Sequence, residues 1–254
     1  MVEYARKGLI GVLTPQANTT VEPEFAILLP PGYAFLNARM VSDKPTIEGR
    51  LDDYFVTLDQ SIAQFANAPL GALAFACTGA SYLQGVARER EAVEAIEVRR
   101  GTPFITAGRA VAEALRRLAA TRIGLVSPYP PALTAASVAY WREHGLTIVA
   151  VAGAFNEGSN FHPIYDLPAA SAEDALAAID LSQVEAVVML GTGMPTLGPI
   201  LGRAAASGVP ILSCMSALAW RSLTVFEPGL AATDAMRRYF AGEGWRARFV
   251  QAMA

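Results

Sequence analysis

Short apolar runs alternate along the chain with segments in which apolar residues recur every third or fourth position. The runs at residues 8–13, 34–41, 70–76 and 103–106 predict strands, and the segments 20–29, 46–66, 81–99 and 109–119 predict helices. Segment 46–66 is amphipathic with acidic residues in its first turns, where the helix dipole favours them. Run 70–76 is apolar throughout, as a parallel strand buried on both faces requires. The alternation then restarts, with strands at 122–127, 146–151, 184–190 and 209–213 and helices at 132–144, 169–179, 195–206 and 216–224. Strands alternating with helices at this spacing predict parallel sheets with helices on both faces, an α/β protein.

The restart is an internal repeat. Gly11-Val12-Leu13-Thr14-Pro15 matches Gly124-Leu125-Val126-Ser127-Pro128. Ala76-Cys77-Thr78-Gly79 matches Leu190-Gly191-Thr192-Gly193, and Thr102-Pro103-Phe104-Ile105-Thr106 matches Gly208-Val209-Pro210-Ile211-Leu212. Three matched blocks in one order predict two similar parallel-sheet, Rossmann-like halves, residues 1–120 and 121–254. The second half ends in a helical tail, 227–254, in which Met236, Tyr239, Phe240, Trp245, Phe249 and Val250 lie among arginines, ready to pack on the chain's own core or on a second subunit. Ligands of open parallel sheets bind beyond the C-terminal strand ends, so halves that face each other enclose one site.

Composition narrows the function. Of 254 residues, 53% are apolar and 17% charged, which excludes disorder, and a net charge of -3 argues against a nucleic-acid partner. The uncharged stretch 60–87 is interrupted by Asn67, Pro69, Gly71 and Gly79, so no membrane span is expected. The N-terminus lacks the features of a signal peptide, and two cysteines make no disulfide framework; a reduced, cytoplasmic protein is expected. Lys7 and Lys44 are the only lysines, which leaves few candidates for Schiff-base chemistry. Two separated histidines and two distant cysteines make no metal site.

Cys77 is the leading candidate for chemistry. It ends a strand and precedes a helix start, where N–H groups and the helix dipole stabilise a thiolate, so a lowered pKa is expected there; a buried packing cysteine is the alternative. The loop Thr14-Pro15-Gln16-Ala17-Asn18-Thr19-Thr20 lies between a strand and a helix, and Asn18 and Thr19 there suit a carboxylate or simply cap the helix. In the matching loop, Ser127-Pro128-Tyr129-Pro130-Pro131, Tyr129 offers its hydroxyl to a ligand or covers the sheet edge. Gly191-Thr192-Gly193-Met194-Pro195-Thr196 fails the dinucleotide fingerprint, yet its backbone can approach an oxyanion. Asn160 and, less strongly, His162 lie in a loop that borders the site. His144, near a helix C-terminus where a cation is favoured, and Cys214, among apolar neighbours, read as structural.

With these blocks in hand, the chain resembles the maleate isomerase and arylmalonate decarboxylase branch of the aspartate/glutamate racemase superfamily over roughly residues 8–223. The block Pro15-Gln16-Ala17-Asn18-Thr19-Thr20-Val21-Glu22 is similar to the maleate isomerase loop P-S-S-N-T-T-x-E, and Ala38-Arg39-Met40, the Tyr129 loop and Ala217-Leu218-Ala219-Trp220 are further echoes. The resemblance implies a cofactor-independent, oligomeric enzyme of two pseudo-twofold halves with one site between them. Many members use two opposed cysteines; Cys77 matches the first, and Gly191 stands at the second. Arylmalonate decarboxylases show the reverse arrangement. By resemblance, Asn18, Tyr129 and Asn160 hold substrate carboxylates, and Thr78 and the backbone around Thr192 complete an oxyanion pocket. The implied activity is cis–trans isomerisation of a small unsaturated dicarboxylate by the Cys77 thiolate. The alternatives are decarboxylation of a substituted malonate with Cys77 as proton donor, and a non-catalytic binder of small acids.

Overall fold

A computed structural model describes residues 2–155 and 163–254, with the side chains of 204–207 left aside. The first half of the chain runs β1 (Gly8–Pro15), α1 (Val21–Leu28), β2 (Tyr33–Met40), α2 (Ile47–Val56), α3 (Leu58–Ala63), β3 (Ala72–Phe75), α4 (Thr78–Arg100), β4 (Phe104–Thr106) and α5 (Ala107–Leu118). The second runs β5 (Arg122–Ser127), α6 (Pro131–Glu143), β6 (Thr147–Gly153), α7 (Ala169–Ala177), β7 (Ala186–Met189), α8 (Leu197–Ser207), β8 (Ile211–Ser213) and α9 (Cys214–Thr224), followed by α10 (Thr233–Phe240) and α11 (Arg246–Ala252).

Each half contributes a four-stranded, all-parallel sheet, in the order β2-β1-β3-β4 and β6-β5-β7-β8. The repeat read from the sequence is thus a repeat of topology, and the predicted α/β class with two similar parallel-sheet halves is the fold observed. Inner strands explain the uninterrupted apolar runs: β3 and β7 are buried at every residue and β1 at every residue but Gly8. Edge strand β2 mixes buried and exposed positions and edge strand β6 has none fully buried, whereas the opposite edges β4 and β8 are buried throughout. Helices α5 and α9, which follow the corresponding strands β4 and β8, pack on each other, and α9 also reaches β3 and β4 of the first sheet. The two sheets therefore share one apolar core. Each fully buried Leu, Ile or Phe in it stabilises the fold by about 1.5–3 kcal/mol relative to exposure.

Some boundaries differ from the sequence reading. The single helix expected over 46–66 is broken at Thr57 into α2 and α3; there the Asp53 carbonyl accepts from both the Thr57 N–H (2.9 Å) and its Oγ1 (2.7 Å), a back-bond that bends a helix. Helix α4 starts directly after Cys77 rather than at Ser81, and is non-helical at Gly85 (φ 74°, ψ 167°). The strand-to-helix turns are also tighter than expected, because Thr106 and Ser213 cap α5 and α9 themselves. The tail packs on its own chain: Met236, Tyr239, Phe240 and Trp245 are buried, Arg248 Nε donates to the Ile27 carbonyl at 2.7 Å, and Val250 stays exposed. Among the described residues no helix is long and apolar enough to cross a membrane.

Candidate active site

The C-terminal ends of β1, β3 and β7 carry three loops that meet at the seam between the halves. Asn18 is fully occupied there. Its Oδ1 accepts from the backbone N–H groups of Thr20 (2.9 Å) and Val21 (3.2 Å), which caps α1, and its Nδ2 donates across the seam to the carbonyl of Thr192 (3.2 Å). Thr192 Oγ1 returns the link to the Ala76 carbonyl (2.8 Å), and Thr20 Oγ1 donates to the Gly193 carbonyl (2.8 Å). Glu24 on α1 accepts from the Thr196 N–H at the start of α8 (2.7 Å). Burial pushes its carboxyl up to about 7, although the N–H groups of Thr196 and Leu197 favour the charge.

Cys77 occupies the N-cap of α4, as its place between strand and helix predicts, and its thiol accepts from the Ala80 N–H. Burial works against the thiolate expected there. The side chain is 3% exposed, and burial outweighs the N–H and pushes the thiol up to about 12. The thiol lines a cavity of about 30 Å³.

Thr78, Tyr129 and Thr192 line the same cavity, and the hydroxyls of Thr78 and Tyr129 are hydrogen-bonded at 2.9 Å. The rest of the wall comes from two segments. Helix α2 contributes Ile47, Arg50, Leu51 and Tyr54, one face at the i, i+3, i+4, i+7 spacing, and Ile164 and Tyr165 close the other side. Burial pushes the phenol of Tyr54 up to about 12 and raises those of Tyr129 and Tyr165 well above the ordinary value. All three are neutral donors at any ordinary pH. Among the lining residues no carboxylate appears, and Arg50 is the one charged group.

Gly191 has φ +82°, and a Cβ built there would lie 2.9 Å from Pro128 Cγ and 3.2 Å from the Tyr129 hydroxyl. The position that matches Cys77 in the repeat has neither the conformation nor the space for a thiol. Its N–H turns instead to the sulphur of Cys214. Cys214, read from the sequence as structural, is indeed buried, but its neighbours are polar as well as apolar: the hydroxyl of Tyr82 lies 3.9 Å from its sulphur, and Thr78 also contacts it. Burial pushes this thiol up to about 11, so it too is neutral. At Gly193 a Cβ would overlap the Tyr165 ring at 2.3 Å, so the bare backbone is what lets that ring close the cavity.

The structure thus brings Cys77, Thr78, Tyr129 and Thr192 together, with Asn18 and the Gly191 backbone immediately behind them. Thr19 is exposed, donating to the Tyr165 carbonyl at 3.3 Å, and does not line the cavity. Asn160 and His162 lie outside the described residues. His144 meets the Tyr140 ring edge-on (centroids 4.8 Å apart) away from the cavity, and burial lowers its pKa, so it is neutral at pH 7 rather than the cation its helix end favours. The sequence reading missed Arg50, Tyr54 and Tyr165. The signal for the first two was present: an arginine and a tyrosine on the apolar face of an amphipathic helix. Among the described residues no group of three or more His, Cys, Asp or Glu could hold a metal ion.

The molecule is thus an α/β protein of two paired parallel-sheet halves with a buried thiol at a strand end on their seam. The sequence pattern of arylmalonate decarboxylase matches residues 10–239, and the chain belongs to that family. It is 28% identical over 238 residues to the maleate isomerase of Nocardia farcinica, covering 90% of this chain and 94% of that one. Two solved structures share the fold. One is an alanine variant of the maleate isomerase of Pseudomonas putida S16 with maleate (TM-score 0.78, 23% identity, 87% of this chain and 92% of that one). The other is a cysteine-to-serine variant of the Nocardia farcinica maleate cis–trans isomerase with a covalently bound succinylcysteine intermediate (TM-score 0.75, 25% identity, 87% and 93%).

Proposed function

We propose that the protein is a cofactor-independent isomerase that converts a small cis-unsaturated dicarboxylate of the maleate type to its trans isomer. Cys77 is the nucleophile. The observation that carries this reading is the position of its thiol: at a strand end, in a cavity walled by neutral hydroxyl donors and one guanidinium. The succinylcysteine intermediate of the Nocardia farcinica relative supports a carbon–sulphur adduct. We also propose that the two functional halves are residues 1–120 and 121–254, divided between α5 and β5.

The chemistry follows from the neutral state of the thiol. As the sulphur bonds to one alkene carbon, its proton passes to a substrate carboxylate oxygen. The π pair moves onto the other alkene carbon and the carboxylate attached to it, giving an enediolate. The hydroxyls of Thr78 and Tyr129 and the backbone near Thr192 donate to the charge that develops, the kind of stabilisation that usually dominates in such sites. The former double bond is now single and rotates. Return of the electron pair and the proton, with cleavage of the carbon–sulphur bond, releases the trans acid and restores the thiol. Splitting one difficult step into two is the gain of covalent catalysis.

A second reading is favoured by one observation, the family match combined with a thiol that is protonated at rest. Such a thiol is a ready proton donor to the enediolate left by decarboxylation of a substituted malonate. Proton NMR separates the two. With maleate, the intact protein produces fumarate and Cys77→Ala loses on the order of 10³-fold or more of the rate. Full activity of Cys77→Ala refutes the nucleophile. No fumarate from the intact protein, together with loss of carbon dioxide from a disubstituted malonate, establishes the decarboxylase instead.

A further inference from the structure

Arg50 stands on the face of α2 that closes the Cys77 cavity, between Ile47, Leu51 and Tyr54. Arg50 is half-buried there. Among the described residues Arg50 has no carboxylate partner. Its one hydrogen bond there is a long one, 3.5 Å from Nη1 to the Lys44 carbonyl. Arg39, whose charge is also felt at Tyr165, is by contrast committed: it pairs with Glu22 and donates to the carbonyls of Pro15 (3.1 Å) and Asn18 (2.8 Å). The field of Arg50 reaches into the cavity, where it lowers the phenols of Tyr54 and Tyr165 against the larger effect of burial. No carboxylate lines the cavity, and Arg50 is the one charged residue on its wall.

We infer that Arg50 binds a carboxylate of the substrate and is the residue that makes the site select a dianion over a monoanion. The assignment rests on the proposed reaction at Cys77 and adds its charge specificity. The Nδ2 of Asn18, the carboxylate holder expected from the sequence, is directed to the Thr192 carbonyl and hydroxyl (3.2 and 3.4 Å). A guanidinium supplies two parallel donors and a full charge, and it keeps them when the pocket is dry.

The test compares wild type, Arg50→Gln and Arg50→Lys with maleate and with its monomethyl ester. Loss of one charge-assisted contact is expected to raise KM for maleate about 10- to 100-fold in Arg50→Gln, to leave the ester nearly unaffected, and to erase the preference between them. Arg50→Lys restores part of the preference, which a merely structural role would not do. An unchanged preference in a folded Arg50→Gln protein overturns the inference. A second readout does not depend on turnover: the ratio of Cys77 labelling by iodoacetate, an anion, to labelling by neutral iodoacetamide, followed by peptide mass spectrometry. That ratio falls several-fold in Arg50→Gln if the charge faces the thiol, and an equal ratio overturns the inference even where maleate proves not to be the substrate. Absence of maleate turnover in wild type with a falling ratio refutes the proposed reaction and leaves the charged pocket standing.

Discussion

Gly191 marks where the second half lacks a thiol, and its geometry says what restoring a side chain there costs. A non-glycine residue at φ +82° carries about 1–2 kcal/mol of backbone strain. The new Cβ, 2.9 Å from a stiff proline ring and 3.2 Å from the Tyr129 hydroxyl, adds an overpacking cost of about 1–3 kcal/mol. Gly191→Ala and Gly191→Cys are therefore both expected to lose about 2–5 kcal/mol. Two controls separate the contributions. Gly145 has φ +79° with nothing within 4 Å of its Cβ position, so Gly145→Ala reports strain alone, about 1–2 kcal/mol; Gly153, with open space and no such φ, should change little on Gly153→Ala. Urea unfolding midpoints measure all four, and thermal midpoints should fall by about 2–4 °C per kcal/mol for a chain of this size. A push on Tyr129 also disturbs its bond to Thr78, so activity should fall in Gly191→Cys despite the added thiol. A Gly191→Cys protein as stable as Gly153→Ala, or more active than wild type, would refute this account of the position.

Two predictions concern protons. Because the Cys77 thiol lies near 12, its alkylation rate should rise about tenfold per pH unit from pH 7 to pH 10 without levelling; a plateau between pH 6 and 8 would show a resting thiolate. Glu24 holds its proton more tightly folded (about 7) than unfolded (4.5), so its contribution to stability is fully present below pH 4.5, is lost as pH rises to 7, and stays lost above. The loss amounts to about 3 kcal/mol, and Glu24→Gln should flatten the urea midpoint across that window; a pH dependence identical to wild type would contradict the assignment.

The fold was legible because its strands are either wholly buried or edge-like, and because the repeated blocks fall at equivalent strand ends. What the sequence could not show is the balance of forces at a point. A cysteine before a helix reads as activated, but at Cys77 the missing solvent outweighs the N–H groups, and missing solvent is a property of the assembled halves. Asn18 reads as a ligand or a cap; its Oδ1 accepts from the N–H groups of Thr20 and Val21 at the start of α1, and its Nδ2 turns to a residue far along the chain. Arg50 was legible as an odd residue on an apolar helix face, but that this face closes over Cys77 depends on how α2 lies against α4. Thr57 broke the helix where propensity alone would have continued it.

Three of the bonds across the seam end on main-chain carbonyls, those of Ala76, Thr192 and Gly193. A carbonyl is offered by every residue type. These three bonds therefore do not depend on the side chain at position 77, which can change without parting the molecule. Such a scaffold is free to lose or gain a reactive group on one flank at a time, and so to drift between chemistries over descent while its architecture stays fixed.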